Sequence, residues 1–101
     1  MFGIVGKSVT LTCNKTTDGP VSWWYQSSPD AVIEYITFGD GSLLNGYKDR
    51  CRLDGDNLIC NKLQLNDTGT YTCLEDAGFG IRHLMFLNVT GNLNPQYDDR
   101  N

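Results

Sequence analysis

Four cysteines, one histidine and a few neighbouring carboxylates are the side chains of this sequence that could do chemistry. The cysteines form an even set: Cys13, Cys51, Cys60 and Cys73. None of them has the CxxC spacing of a zinc site, so two disulfides are favoured over free thiols or a bound metal. Because disulfides persist in oxidising compartments, this pattern indicates a protein outside the cytosol.

Catalytic groups are few. His83 is the only histidine, so once the cysteines are paired no Cys-His dyad is left, and a Ser-His-Asp triad would depend on one loop position. Glu75 and Asp76 are adjacent, and a strand would send them to opposite faces, where they could not share acid–base work. We therefore expect no enzyme and no cofactor.

Two further ligand classes are disfavoured. The segment 54–57, Asp-Gly-Asp-Asn, offers oxygen ligands but lacks the length and the distant glutamate of an EF-hand, so a hairpin turn is favoured over a calcium site. The chain has 12 acidic and 8 basic residues and a net charge of -4, and its basic residues are scattered. A nucleic-acid-binding surface needs clustered positive charge, so we expect no nucleic acid partner.

The elements that would position these side chains are strands. A length of 101 residues suits one domain. No long 3.6-residue period occurs, whereas short apolar or alternating runs recur between turn residues, which predicts an all-β structure of about nine strands. The clearest runs are 8–13, 21–26, 31–38, 48–53, 58–63, 70–74 and 84–89. The polar tail 91–101 is predicted to be a flexible stalk after a domain of residues 1–90.

One constellation of residues carries a family resemblance. Cys13 is followed by Trp24-Tyr25-Gln26, and Asp67-Thr68-Gly69-Thr70-Tyr71-Thr72-Cys73 comes later in the chain. This arrangement resembles immunoglobulin variable domains, over residues 8 to about 90. The resemblance implies a two-sheet antiparallel sandwich of the variable type with Greek-key connections.

The resemblance also implies structural roles. Cys13 and Cys73 would join the two sheets, with Trp24 packed on their disulfide, and Tyr71 would form a tyrosine corner. Asp67 would pair with Arg50 across the bottom of the sandwich.

Two cysteines are additional to the family pattern. Cys51 and Cys60 lie on the two arms of a predicted hairpin, at positions where family members place opposed, inward-facing apolar residues. We expect a local disulfide between them, with two buried thiols as the alternative.

The end of the predicted domain departs from antigen receptors. Rearranged antibody and T-cell receptor domains carry Phe-Gly-x-Gly at the start of the last strand, whereas residues 79–82 read Phe-Gly-Ile-Arg. The resemblance therefore favours a germline-encoded leukocyte receptor or coreceptor that binds a protein ligand. A costimulatory ligand of the butyrophilin-like kind, a homophilic adhesion domain and a structural spacer are the alternatives.

Strand alternation predicts a binding surface. If Trp24 points inward, its neighbours point outward on the sheet that variable domains use for pairing. The expected patch is Trp23, Tyr25, Leu74, Leu84 and Phe86. Such an apolar surface usually marks an interface, for a protein ligand or for a second copy in a homodimer, although twist and loops could cover part of it. The loop 75–83, with Phe79 and Arg82, is the second candidate, unless Phe79 folds back onto the core.

Three acceptor triplets for N-linked glycosylation support an extracellular location. They begin at Asn14, Asn66 and Asn88. No apolar run approaches the roughly 20 residues that cross a bilayer. We interpret Met1 as an expression start on a trimmed ectodomain, which is secreted or lies on the extracellular side of the plasma membrane, with any membrane anchor outside this segment.

Overall fold

The computed structural model describes residues 1–38, 40–76 and 79–91. Within them lie eight strands: β1 Phe2–Ile4, β2 Val9–Leu11, β3 Val21–Gln26, β4 Glu34–Tyr35, β5 Cys51–Asp54, β6 Asn57–Cys60, β7 Gly69–Glu75 and β8 Arg82–Thr90. One helical turn, α1, spans Asn45–Lys48, and a 3₁₀ turn spans Leu65–Asp67. The predicted all-β sandwich is confirmed. Of the predicted stalk 91–101, all but Gly91 lies outside the described residues.

The strands form two sheets. The larger sheet has the strand order β1-β8-β7-β3-β4, and the smaller sheet has the order β2-β6-β5. All pairs are antiparallel except β1 with β8, which run parallel. The side chains between the two sheets form one buried cluster that includes Leu11, Ile36, Leu58 and Leu87.

Strand β1 was not predicted, because three residues carry no readable period. Its central residue is Gly3, whose position lies against the core: a Cβ there would come within 2.7 Å of Leu63 Cδ1. Glycine therefore lets β1 pack closely on the sandwich, and Phe2 beside it points outward and is exposed.

Four predicted strands are shorter than expected. The runs 8–13 and 58–63 contribute only Val9–Leu11 and Asn57–Cys60. The run 31–38 contributes only Glu34–Tyr35 and an isolated bridge between Thr37 and Leu43. The run 48–53 begins with the end of α1, and its strand starts at Cys51. Apolar composition predicts these segments to be extended, but the hydrogen bonds that define a strand depend on neighbours that a single run does not reveal.

Both disulfides join the residues expected. Cys13 pairs with Cys73 across the two sheets, and Cys51 pairs with Cys60 inside the smaller one. Cys51 and Cys60 are direct partners in the register of β5 and β6. All four cysteines are buried.

The bottom of the sandwich has the ionic and hydrogen-bonded arrangement that the resemblance implied. Arg50 holds Asp67 through two hydrogen bonds, Nη1 to Oδ2 at 3.0 Å and Nη2 to Oδ1 at 2.7 Å. The Tyr71 hydroxyl donates to the backbone carbonyl of Asp67 at 2.6 Å, which closes a tyrosine corner. Burial, and secondarily the charge of Asp67, raises the pKa of the Tyr71 hydroxyl well above its ordinary value.

The assignment of the two tryptophans was wrong. Trp23, not Trp24, lies in the core: it is 0% exposed, it is the register partner of Cys73, and its Nε1–H donates to the Asp56 carbonyl at 3.0 Å. Trp24 therefore points outward. The signal was in the sequence, because Ser22 and Gln26 share the alternation of Trp24 and both are polar, whereas Val21 and Tyr25 share that of Trp23.

Candidate functional site

The outward surface of the five-stranded sheet is the candidate binding site, and we call it the front face. Its side chains lie in rows that cross the strands. A central row contains Tyr35, Trp24, Thr72 and Leu84, which are successive register partners on β4, β3, β7 and β8. An upper row contains Ser22, Leu74 and Arg82, and a lower row contains Gln26, Thr70 and Phe86.

The front face has an aromatic side built around Trp24. The edge of Tyr35 meets the Trp24 ring at a centroid distance of 5.2 Å, and Phe38 lies 5.9 Å from Tyr35. Tyr35 and Phe38 are exposed, and Trp24 is half-buried between its neighbours. Aromatic rings supply large contact area at low conformational cost, which suits this group to protein recognition.

Arg82 brings a positive charge to this surface. Its guanidinium carbon lies 5.6 Å from the centre of the Trp24 ring, within the range of a cation–π contact. Because β7 lies between β3 and β8, this contact crosses the outer face of β7, where Leu74 is fully buried. Arg82 itself is exposed, so its charge remains available to a partner.

Only part of the predicted binding patch is exposed in the structure. Leu84 is 68% exposed and Phe86 is 56% exposed. Trp23, Tyr25 and Leu74 are buried and cannot meet a partner. Tyr25 was placed on the wrong face with Trp23: its ring lies 4.9 Å from that of Tyr71, and its hydroxyl donates to the Thr68 carbonyl at 2.7 Å.

Sequence reasoning missed three members of the surface. Trp24 was assigned to the core, and Tyr35 and Phe38 were treated only as part of an extended run. Alternation across β3 would have exposed Trp24. Tyr35 and Phe38 belong to the front face because the chain turns back after β3 and places β4 beside it. No local sequence pattern predicts that pairing.

The end of the sandwich next to Arg82 carries the second candidate. Phe79 is 95% exposed, so it does not fold back onto the core, and Ile81 beside it is also exposed. Residues 77 and 78 of this loop lie outside the described residues. Phe79 and Ile81 therefore give this loop end exposed apolar side chains of its own.

A buried carboxylate holds this loop end together. Glu75 is 2% exposed, and both of its oxygens accept hydrogen bonds. The backbone N–H groups of Thr16 and Thr17 donate to it at 3.1 Å, the hydroxyls of both threonines also donate, and His83 Nε2 lies 2.6 Å away. Glu75 thus joins the segment before β3 to the start of β8.

These bonds also define what Glu75 can do chemically. The pKa of Glu75 is lowered from the ordinary 4.5 to about 2. The hydrogen bond with His83 is the largest cause, and the hydrogen bonds from Thr16 and Thr17 add to it. A carboxylate so fully engaged is a structural acceptor rather than a base waiting for substrate. Neither the pair of Glu75 and Asp76 nor His83 is arranged as a catalytic group.

Among the described residues, no group of three His, Cys, Asp or Glu side chains is placed to hold a metal ion. Within the same residues, no helix is long and apolar enough to span a membrane. An open depression of about 550 Å³ lies at the lower end, lined by Val5, Gln64, Leu65, Asn66 and Gly91.

The three glycosylation acceptors differ in their surroundings. Asn14 is exposed in the segment after β2, and Asn66 is exposed in the 3₁₀ turn. Asn88 is half-buried on β8.

Comparison with known proteins gives a family and a fold. The family model described as the immunoglobulin V-set domain matches residues 1–83. The first immunoglobulin domain of the mouse polymeric immunoglobulin receptor is similar, with 20% identity over 89% of this chain and 88% of that one and a TM-score of 0.67. The extracellular domains of the voltage-gated sodium channel beta4 subunit, described as parallel homodimers with a role in cell–cell adhesion, give 21% identity, coverage of 92% and 91%, and a TM-score of 0.66.

Proposed function

Because this chain belongs to the immunoglobulin V-set family, we propose that it is the extracellular ligand-recognition domain of an immune-type cell-surface receptor or coreceptor. Domains of this family are generally binding modules rather than enzymes. The partner is a protein, and the front face is the surface that binds it.

The observation that carries this proposal is the aromatic group on the front face. Trp24, Tyr35 and Phe38 adjoin one another, with Leu84 in the same row as Trp24 and Arg82 above it. A spacer domain needs no such surface, since contiguous exposed apolar area on a soluble protein usually marks an interface. Aromatic residues and arginine are also the side chains most enriched among strong binding contacts.

The front face also suggests the chemistry of the partner. Arg82 is the only charged side chain that β3, β7 and β8 turn outward among the residues described. A complementary surface would place apolar side chains over Trp24 and Leu84 and a carboxylate near Arg82.

A homophilic adhesion domain is the second candidate. It is favoured by the self-complementary nature of an apolar face, which one two-fold axis can pair with its own copy. The similar beta4 domains, which form parallel homodimers with a role in cell–cell adhesion, also support this candidate. The two candidates use the same surface and differ in the partner.

The test uses fluorescent tetramers of the domain on leukocytes, with and without prior protease treatment of the cells. We expect protease-sensitive staining that is lost in Trp24→Ser/Leu84→Ser. Leu65→Ser is the matched control, because Leu65 is exposed at the opposite end of the sandwich and should leave staining unchanged. Equal staining by the double variant and the wild type would contradict the proposal.

Sedimentation of the wild-type domain at micromolar concentration separates the two candidates. A dimer that Trp24→Ser/Leu84→Ser dissociates would identify a second copy as the partner. A wild-type monomer would exclude self-pairing at those concentrations and leave a separate protein ligand.

A further inference from the structure

Strand β8 presents a glycosylation acceptor on the same surface as the proposed binding site. Leu87 and Val89 are buried in the core, so the alternation of the strand turns Asn88 outward with Leu84 and Phe86. Asn88 is followed by Val89 and Thr90, which completes an N-linked acceptor.

Two exposed aromatic side chains lie near Asn88, which is itself half-buried. Phe86 precedes it by two residues, about 7 Å along the strand. Phe2 is its register partner on β1, and both aromatic rings are exposed. Within the described residues, the side-chain amide of Asn88 makes no hydrogen bond, so a sugar attached there would break no internal hydrogen bond.

We propose that Asn88 carries an N-linked glycan that covers Phe86 and Phe2, and so confines protein recognition to the central and upper rows of the front face. The part that concerns recognition rests on the function proposed above. A glycan is bulky and strongly hydrated, so it would shield these two rings from water and from a partner.

The covalent step is an ordinary glycosyl transfer from a lipid-linked oligosaccharide diphosphate in the secretory pathway. The amide nitrogen of Asn88 forms a bond to C1 of the first sugar, while the bond from C1 to the diphosphate oxygen breaks. The lipid diphosphate leaves with the electron pair, and the amide gives up one proton to a base.

Thr90 allows the glycan to be removed without changing any side chain of the three rows. Its hydroxyl oxygen is buried and, among the described residues, has no hydrogen-bond partner. Thr90→Val therefore abolishes the acceptor while keeping the side-chain shape and losing no internal hydrogen bond. Thr90→Ser is the matched control, because serine preserves the acceptor.

The experiment compares wild type, Thr90→Val and Thr90→Ser, each secreted from mammalian cells. Mass spectrometry of peptides measures the occupancy of Asn88, and hydroxyl-radical footprinting measures the exposure of individual rings. We expect occupied Asn88 in wild type and Thr90→Ser. In Thr90→Val we expect the labelling of Phe86 to rise by about twofold or more, because a bulky hydrated group has gone. Tyr35 lies on β4, at the opposite edge of the same sheet, and should be labelled equally in all three proteins.

An unoccupied Asn88 in the wild type would overturn the proposal, and so would equal labelling of Phe86 with and without the glycan. Neither readout needs the partner. Failure of the front-face function would instead appear as unchanged cell staining by Trp24→Ser/Leu84→Ser. If glycosylated Phe86→Ser protein still stains cells and both expected results above are obtained, confinement of binding to the central and upper rows is supported. Loss of staining by glycosylated Phe86→Ser protein overturns that part of the proposal.

Discussion

Trp23 and Trp24 are neighbours in the chain with opposite environments. Trp23 is fully buried beside the Cys13–Cys73 disulfide, and its ring nitrogen is satisfied by the Asp56 carbonyl. Trp24 lies on the front face between Tyr35 and Arg82. The same residue type thus supports folding at one position and is available for recognition at the next.

Replacing each tryptophan by alanine should separate these roles. Trp23→Ala should lower the free energy of unfolding by about 3–5 kcal/mol, because it leaves a large cavity in the core. Trp24→Ala should cost far less and should abolish tetramer staining. Urea unfolding followed by circular dichroism measures both effects. Equal destabilisation by the two substitutions would contradict the assignment of Trp23 to the core and Trp24 to the surface.

Glu75 is the residue whose ionisation matters most to the loop end. Its lowered pKa means that the folded state favours the carboxylate more than the unfolded chain does. Its contribution to stability is therefore complete above the ordinary pKa of 4.5 and is lost as the pH falls toward about 2.

Glu75→Gln should flatten the acid limb of the stability curve. We expect the melting temperature of the wild type to fall more steeply between pH 4.5 and pH 2 than that of the variant. Asp30→Asn, at an exposed carboxylate, is the control. Parallel curves for wild type and Glu75→Gln would show that the carboxylate has no special role in stability.

At the residue scale, motifs predicted the structural side chains well and the surface poorly. Asp67, Tyr71 and Cys73 occur in one short motif that fixes their mutual roles. A surface residue such as Tyr35 belongs to the front face only through strand pairing with Trp24. Glu75 was judged only as half of an acid–base pair, because its donors Thr16 and Thr17 are distant in the chain.

At the scale of elements, the hairpin of β5 and β6 shows how much local sequence can specify. The turn between them contains Gly55, which adopts a positive φ of 64° that glycine tolerates best. Cys51 and Cys60 then face each other in register and are joined. Turn chemistry predicted the hairpin, because the turn lies within a few residues. The disulfide was expected only because the family resemblance places opposed, inward-facing apolar residues at these two positions.

The hairpin disulfide should stabilise the domain without shaping the front face. Replacing both Cys51 and Cys60 by alanine should lower the free energy of unfolding by about 2.7 kcal/mol, the chain-entropy value for so short a loop. Urea unfolding under non-reducing conditions measures the loss, and tetramer staining should be retained. An unchanged urea midpoint would contradict a stabilising role.

Strand β7 is subject to a packing constraint, its close approach to β3, that its own sequence does not predict. Gly69 begins β7 beside β3, where a Cβ would come within 2.6 Å of the Gln26 carbonyl oxygen. The glycine in the Asp67-Thr68-Gly69 segment is thus needed for the close approach of β3 and β7. Strand β1 depends both on the edge that β8 leaves open and on Gly3, which permits close packing against Leu63.

At the scale of the whole molecule, one buried cluster and two disulfides hold two sheets whose outer surfaces differ. The inter-sheet disulfide spans 60 residues of chain, so it removes more freedom from the unfolded state than the hairpin disulfide does. The larger sheet leaves an aromatic row on its outer face, and an engaged carboxylate fixes the loops at one end of it.

The parallel pairing of β1 and β8 also determines how the domain would resist a mechanical pull. Tension applied between Met1 and Gly91 draws the two strands in opposite directions along their length, so their hydrogen bonds, including Val5 N–H to the Thr90 carbonyl at 2.9 Å, are loaded together in shear. Evenly spaced bonds of this kind share the force instead of parting one by one. If they break, the Cys13–Cys73 bond limits how much of the chain between those two residues can be drawn out.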